Sequence, residues 1–237
     1  MAPAVVPGPI LNGIKTTYVA FVTGKYLESS DKTSTVQNSI YEVFDNGSTG
    51  GDSTPVGASA ISGRGRLKAG TVDSSTGVVN VATFTWGRAT SDADATQRSG
   101  FYADFPVSGE RGISDMTVAG NSLLFSSLIP ASSGAVGSCA AAGGDGKFYS
   151  INYLTGKGTF NNSTVGIPGT QILFELPAAT IYKKSNTTGQ RIKTVVQQVL
   201  QPGSLGVATG GTVTTEFITG RLSWRQINNY QDLKNAP

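Results

Sequence analysis

Short segments of strand type, each closed by turn-forming residues, recur along the whole chain and constrain its fold more than any other feature. Apolar and polar side chains alternate in most of them, which is typical of a strand with one buried face. The clearest segments are residues 16–22, 39–44, 78–86, 101–105, 122–129, 147–154, 172–176 and 220–227. Turn residues recur at intervals of roughly 8–20 residues, and no segment favours a helix over a strand. The sequence therefore predicts an all-β protein of about a dozen short strands.

Many short strands with regular turns are typical of a β-sandwich, a barrel or a propeller. A weak internal echo favours the propeller, because residues 41–51 and 149–158 both run from a strand through a polar turn into a Gly-rich exit. At roughly 40–45 residues per four-stranded blade, the chain would hold about three to five blades. We therefore expect one propeller-like domain, a partial or modified β-propeller, over residues 1–227 and a polar tail over 228–237. A β-sandwich is the alternative fold.

Histidine is absent and cysteine occurs once among the 237 residues. The absence of histidine excludes Ser-His-Asp and Cys-His catalysis, and also zinc sites built on imidazole. Cys139 has no second cysteine in the chain, so it stays free or bonds to another polypeptide. No apolar run approaches the roughly 18–20 residues of a membrane span.

The formal net charge of +3 reflects few acidic residues, not a basic patch. Arg64, Arg66 and Lys68 occupy alternate positions, and in a strand they would share one face. We interpret them as a solvated strand face. A nucleic-acid site would need clustered basic residues interleaved with exposed aromatic side chains, so nucleic acid is not an expected partner.

A few polar and aromatic residues invite a functional interpretation. Asp104, Glu110 and Asp115 are close enough in sequence to suggest the paired carboxylates of a glycosidase, although nothing else in the chain indicates a sugar cleft. Ser29 and Lys32 match a Ser-x-x-Lys spacing, which is weak evidence without its structural context. Trp86 and Trp224 are expected to fill space between sheets rather than to serve as ligand platforms.

Five motifs stand in the same order as those of one protein family. They are YVAFVTGKY (18–26) with SIYEVFDNG (39–47), the segment 100–130, the loop containing Cys139 and Gly143-Gly144, KFYSINYLTGKG (147–158), and GRLSWRQI (220–227). In this order they resemble the C-terminal β-propeller region of the PilY/PilC-type adhesin and biogenesis proteins of type IV pilus tips. Asn152 departs from the Asp usual in that family, and residues 159–215 match nothing we can identify in it.

The resemblance implies a non-enzymatic module for type IV pilus biogenesis, twitching motility and cell adhesion. Such proteins are exported through the periplasm to the cell surface, as part of the fimbrium. Expected partners are minor pilins, other pilus components or the rest of a longer parent protein, with a host-surface or glycan receptor as a further partner. Two alternatives remain open: a structural fibre or surface protein, and a carbohydrate-binding propeller.

The resemblance also implies structural roles for the residues at its motif positions. These are Gly24, Tyr26, Asp45, Gly47, Asp104, Glu110, Arg111, Pro130, Cys139, Gly156 and Trp224. Glu110 and Arg111 are expected to form an ion pair or to cap a turn between strands.

The family also carries a calcium loop of EF-hand type, which needs oxygen ligands at alternate positions. The nearest candidates here are residues 45–52 and Asp92 with Asp94, and neither has the required spacing or terminal acid. We therefore expect no catalytic residue, no cofactor and no metal in this chain.

Overall fold

The fold is known from a computed structural model, which describes residues 2–11, 14–45, 63–87, 89, 91–131, 144–184 and 189–219. Strands make up 57% of the structure and helices 3%. Two short 3-10 helices, Ser29–Lys32 and Pro177–Ala179, are the helical elements of the described residues. The all-β prediction is therefore confirmed.

In the described part of the chain, fifteen strands form two sheets. The larger sheet contains β1 (Ala4–Leu11), β2 (Ile14–Val22), β3 (Ser39–Asp45), β4 (Lys68–Asp73), β5 (Val78–Val81), β6 (Gly100–Asp104), β7 (Arg111–Gly112), β8 (Thr117–Ala119), β9 (Ser122–Ile129), β10 (Asp145–Asn152) and β11 (Lys157–Asn162). The smaller sheet contains β12 (Ile172–Glu175), β13 (Ile181–Lys184), β14 (Arg191–Gly203) and β15 (Gly206–Thr219).

Most of the predicted strands of the described segments are present, with three differences. The predicted strand over 78–86 ends at Val81, and Trp86 instead forms an isolated bridge with Arg98. Strand β1 was missed because Pro7 and Pro9 interrupt its pattern, and β11 was not recognised either. Proline is tolerated in β1 because, among the described strands, β1 pairs with β2 alone, at the sheet edge, and carries a register shift after Pro7.

The larger sheet follows the order β1-β2-β3-β6-β4-β5-β11-β10-β9-β7, with β8 also paired to β9. Strands β8 and β9 form a tight hairpin: they pair antiparallel, and Gly120 has the positive φ of +56° that the turn needs. Strands β4 and β6 pair in parallel, so the chain crosses over between them.

The far end of this sheet returns to its beginning. The Gly112 N–H in β7 donates to the Thr23 carbonyl at 3.0 Å, directly after β2. A Cβ atom at Gly112 would lie 2.1 Å from Val22 Cγ2, so the two segments approach as closely as glycine allows. The sheet is thus nearly closed and barrel-like. Its division into propeller blades stays a prediction, as does the single domain, and the tail at 228–237 lies outside the described residues.

The core fills the inside of the nearly closed sheet. Phe101, Phe125, Tyr149 and Ile151 are fully buried there, and the Phe125 and Tyr149 rings stack at 4.9 Å. Trp86 stacks on buried Tyr18 with ring centres 4.0 Å apart, as expected for a space-filling tryptophan.

The smaller sheet packs on the outside of the larger one. Ala119 and Leu124 of the larger sheet meet Val199 of β14 in a small apolar cluster. Buried Gln171, directly before β12, links the two sheets. Its side-chain amide donates to the carbonyls of Phe125 in β9 (2.8 Å) and Tyr149 in β10 (3.1 Å).

Candidate functional site

Glu110 is a fully buried carboxylate whose partners come from two neighbouring strands. Lys147 Nζ lies 2.5 Å from its Oε2, while the hydroxyls of Ser127 (2.6 Å) and Tyr149 (2.7 Å) donate to its Oε1. Lys147 and Ser127 are paired across β10 and β9, and Tyr149 follows on the same face of β10. Burial, and then the charge of Glu110, raise the pKa of the Tyr149 phenol far above its usual value, so it remains a hydrogen-bond donor.

Glu110 and Arg111 do not form the expected ion pair, because consecutive side chains of an extended segment point in different directions. Glu110 pairs with Lys147. The Arg111 guanidinium instead donates to the backbone carbonyls of Gly109 (2.9 Å), Lys25 (2.7 Å) and Ser34 (3.0 Å). It thereby braces two loops, which agrees with the turn-capping part of the expectation.

Four positions of the family resemblance come together at this brace. The Arg111 guanidinium lies 5.7 Å from the centre of the Tyr26 ring. A Cβ at Gly24, where φ is +146°, would lie 2.5 Å from Arg111 Cβ, so only glycine fits easily. With Glu110 directly before Arg111, these residues hold β7 against the end of β2. They occupy the closure of the sheet and not an open cleft.

Asp104 forms a separate cluster on another part of the surface. Its Oδ1 accepts from Ser39 Oγ (2.6 Å) and from Arg64 Nη1 (2.7 Å). The Arg64 guanidinium also lies over the rings of Tyr102 (4.5 Å) and Tyr41 (5.2 Å). This arrangement binds a turn to the strands β3 and β6.

The interpretation of Arg64, Arg66 and Lys68 as one solvated strand face is wrong. Residues 63–66 form a turn and β4 begins only at Lys68. Arg66 is buried, with its Nε 3.7 Å from Asp92 Oδ1.

The three carboxylates considered for glycosidase chemistry have different surroundings. Asp104 is held by Arg64 and Ser39, Glu110 lies in the interior, and Asp115 is exposed and accepts from the Ala2 N–H at 2.6 Å. Ser29 and Lys32 are exposed residues of a 3-10 helix, in which Asp31 accepts from the N–H groups of Leu27 and Glu28.

Of the acidic residues considered for calcium, Asp94 serves its own turn, Asp92 lies beside Arg66, and residues 46–52 lie outside the described residues. Asp94 Oδ1 accepts from the Thr96 N–H (2.9 Å) and hydroxyl (2.7 Å). Asp45 is exposed at the end of β3. Over the described ranges, no group of three or more His, Cys, Asp or Glu side chains is placed to hold a metal ion.

The remaining motif positions are scattered. Gly156 lies in the β10–β11 turn with φ +67°, where a Cβ would meet Val81 Cγ2 at 2.5 Å. Pro130 is half-buried directly after β9. Gly47, Cys139 and Trp224 lie outside the described residues.

Glu42 is a site residue that sequence reasoning missed. It is fully buried in the larger sheet between Ala20 and Phe101, and neither carboxylate oxygen has a hydrogen-bond partner. Burial raises the pKa of Glu42 to about 9, so the group is a neutral acid at pH 7. The sequence does show that Glu42 alternates with Ile40 and Phe44, so it lies on a strand face that is otherwise apolar.

A groove of about 600 Å³ lies between β15 and the β8–β9 turn. Small polar residues line it: Gly120, Asn121, Ser122, Ser150 and residues 212–216. The turn touches the strand, because a Cβ at Gly120 would lie 3.0 Å from the Thr214 carbonyl oxygen. Hydroxyl and amide groups there can bind extended backbone or a polar ligand by hydrogen bonds.

The outer edge of β15 runs along this groove. Of the described strands, only β14 pairs with β15. The Val196 carbonyl of β14 accepts from the Leu176 N–H, on the side away from β15. Val196 and its partner Thr214 therefore form a non-hydrogen-bonded pair, and the backbone N–H and C=O of Thr214 point away from β14, on the edge of β15 against which the β8–β9 turn lies.

Comparisons with known proteins do not identify a family or a function for this chain. No helix of the described chain has the length and apolar character needed to cross a membrane. No protein-family model, curated protein or solved structure matches the chain.

Proposed function

We propose that this chain is a non-enzymatic binding and assembly module of a type IV pilus tip, which docks to minor pilins or to the rest of a longer parent protein. The family resemblance supplies the biological setting, including export through the periplasm to the pilus tip and a role in adhesion. Four residues at motif positions of the resemblance, Gly24, Tyr26, Glu110 and Arg111, lie together where the larger sheet nearly closes. Their contacts stabilise a scaffold, which supports this proposal.

The observation that carries the proposal is the edge of β15 that no described strand pairs with, beside the β8–β9 turn. The strand is 14 residues long and contains no Lys, Arg or Pro, the residues with which proteins commonly protect an exposed edge. An extended segment of a partner can add to such an edge through backbone hydrogen bonds. The polar groove beside residues 212–216 leaves space for that segment.

The strand number of the smaller sheet supports the propeller part of the proposal. Strands β12 to β15 form a four-stranded antiparallel sheet, which is the number of strands in one propeller blade. In a longer parent protein, this sheet would take its place beside further blades.

The docking mode can be tested by measuring binding of the chain to immobilised, purified minor pilins by biolayer interferometry. Thr214→Pro removes an outward N–H while leaving the bonds between β14 and β15 in place, so we expect affinity to fall at least about tenfold. Thr214→Val is the matched control, because it keeps the N–H and the strand propensity. Absence of wild-type binding to every pilin, or equal affinities of the two variants, would contradict the proposal.

Carbohydrate binding is a second candidate function, favoured by the hydroxyl and amide groups that line the same groove. Its volume is in the range of small-ligand sites. A glycan array probed with the purified chain tests this candidate: binding that Asn121→Ala abolishes would support it, and an array without signal would argue against it.

A further inference from the structure

The two oxygens of the Glu110 carboxylate have different chemical surroundings. Oε2 lies 2.5 Å from Lys147 Nζ, whereas Oε1 accepts from the hydroxyls of Ser127 (2.6 Å) and Tyr149 (2.7 Å). An amine therefore lies against one side of the carboxyl group, and two hydroxyl donors lie against the other. A nucleophile, an electrophilic carbon and donors for a developing oxyanion are the groups that acyl transfer to an amine requires.

Both partners are shielded from water. The Glu110 side chain is fully buried, and that of Lys147 is 5% exposed. The centre of the Phe160 ring lies 5.1 Å from Lys147 Nζ and adds an apolar wall. In such a setting both charges lose their hydration, which brings the neutral amine and acid closer in free energy to the ion pair than they are in water. The neutral amine is the form that can attack a carboxyl carbon.

An exposed pair of the same residue types shows what burial changes. Lys183 Nζ lies 2.5 Å from Glu216 Oε1, but both side chains are half exposed. The hydrogen bond and charge of Lys183 lower the pKa of Glu216, so this carboxylate stays ionised beside a hydrated ammonium group. Contact alone therefore does not single out Glu110 and Lys147. Their burial and the two hydroxyl donors on Oε1 do.

We propose that Lys147 and Glu110 join in an intramolecular amide (isopeptide) bond, with their ion pair as the reactant. A proton passes from the ammonium group to Oε2, and the neutral Nζ then attacks Glu110 Cδ. Ser127 and Tyr149 stabilise the negative charge that develops on Oε1. A second proton moves from Nζ to Oε2, the bond between Cδ and Oε2 breaks, and Oε2 leaves as water. Oε1 becomes the carbonyl oxygen of the amide.

Strand pairing holds the reacting groups in place. Lys147 and Ser127 are partners across β10 and β9, and Tyr149 follows on the same face of β10. Glu110 directly precedes β7, which pairs with β9. Groups held in contact in this way can react as if at an effective concentration of roughly 10⁵–10⁸ M. The folded chain therefore promotes the reaction, which needs no further reactant.

The bond would cross-link the larger sheet at the point where it nearly closes. It would tie the start of β7 to β10 across β9, and it would hold residues 110 and 147 together even in the unfolded chain. This inference goes beyond the proposed function, because it concerns the covalent structure of the scaffold and does not depend on binding to pilins.

Intact mass spectrometry of the full chain under denaturing conditions tests the proposal. We expect the wild type to weigh one water molecule less than its sequence. Lys147→Arg keeps a cation beside Glu110, but its guanidinium stays protonated and is not a nucleophile, so this variant should have its full sequence mass. Circular dichroism shows whether the variant is folded. A wild type at its full sequence mass overturns the proposal.

A second variant keeps the test decisive if Lys147→Arg does not fold. Tyr149→Phe retains both reacting groups and removes one donor to Oε1. We expect its linked form to appear at least about tenfold more slowly than that of the wild type, which pulse labelling during expression would follow. Equal rates in the two proteins would contradict the role given to the Tyr149 hydroxyl.

Tandem mass spectrometry of a protease digest locates the loss of water. A branched peptide that joins residues 110 and 147 would support the proposal. Asp145 and Gly146 directly precede Lys147, and an Asp-Gly pair can also lose water by forming a succinimide. A loss located at Asp145 would therefore overturn the proposal. Lys183 and Glu216 are the internal control and should be recovered without a link.

Discussion

The Lys147 ammonium lies 2.5 Å from the Glu110 carboxylate, and both side chains are withdrawn from solvent. The two residues are far apart in sequence, on β10 and directly before β7. Their pairing compensates a buried charge at the point where the larger sheet nearly closes. The contact therefore stabilises the fold, and its removal should destabilise the whole larger sheet.

Replacing Lys147 alone should strongly destabilise the protein. In Lys147→Met, Glu110 would remain buried without its cation, so we expect the free energy of unfolding to fall by about 3–5 kcal/mol. Urea denaturation followed by circular dichroism measures this change. Adding Glu110→Gln to that variant should recover part of the loss, and a double variant no more stable than the single one would contradict this account.

The buried acid Glu42 should make stability depend on pH. Its pKa is raised by burial from 4.5 to about 9 in the folded protein. The folded state therefore keeps a proton that the unfolded chain loses above pH 4.5, so the free energy of unfolding should fall as pH rises from 4.5 to 9, with a slope of up to about 1.4 kcal/mol per pH unit.

Glu42→Gln removes this titration and gives the comparison. Urea denaturation of both proteins at about pH 5, 7 and 9 should show the variant gaining on the wild type as pH rises. Burial raises the pKa of the Tyr18 and Tyr153 phenols, and the charge that Glu42 carries when ionised raises both pKa values further. A stability difference that is the same at all three pH values would show that Glu42 titrates normally.

Replacing Arg111 with lysine should lower the stability of the protein. A lysine keeps the charge but cannot donate to the carbonyls of Gly109, Lys25 and Ser34 in the fixed geometry of a guanidinium. We expect Arg111→Lys to cost about 1–3 kcal/mol. Hydrogen exchange should speed up most in the loop that contains Lys25 and Ser34, and exchange that rises equally over the smaller sheet would argue against a local brace.

The contact between Gly112 and Val22 should limit side-chain size at the closure. A Cβ in Gly112→Ala would lie 2.1 Å from Val22 Cγ2, so we expect a loss of about 1–3 kcal/mol. Gly211→Ala is the matched control in the same protein, since nothing lies within 4 Å of its Cβ position. Val22→Ala should partly rescue Gly112→Ala in thermal unfolding, and strict additivity of the two changes would refute the steric explanation.

The sequence by itself determined the secondary structure and several turns. Alternation of side chains and the positions of glycine depend on neighbours along the chain, so β2, β3, β9, β10 and the β8–β9 hairpin were predictable from local pattern. Exceptions arose where the environment overrode that pattern: β1 tolerates prolines because it lies at a sheet edge.

Only the tertiary structure decided which distant groups meet. The order of strands placed Lys147 beside Glu110, left Glu42 without a partner and exposed one edge of β15. The sequence around Glu110 does not indicate whether its carboxylate pairs with Lys147 or with Arg111. Charged groups attract each other when they are close in space, and strand pairing decides which groups are close. Local chemistry thus fixed the strands, while their long-range pairing fixed the buried charges and the surfaces left for binding.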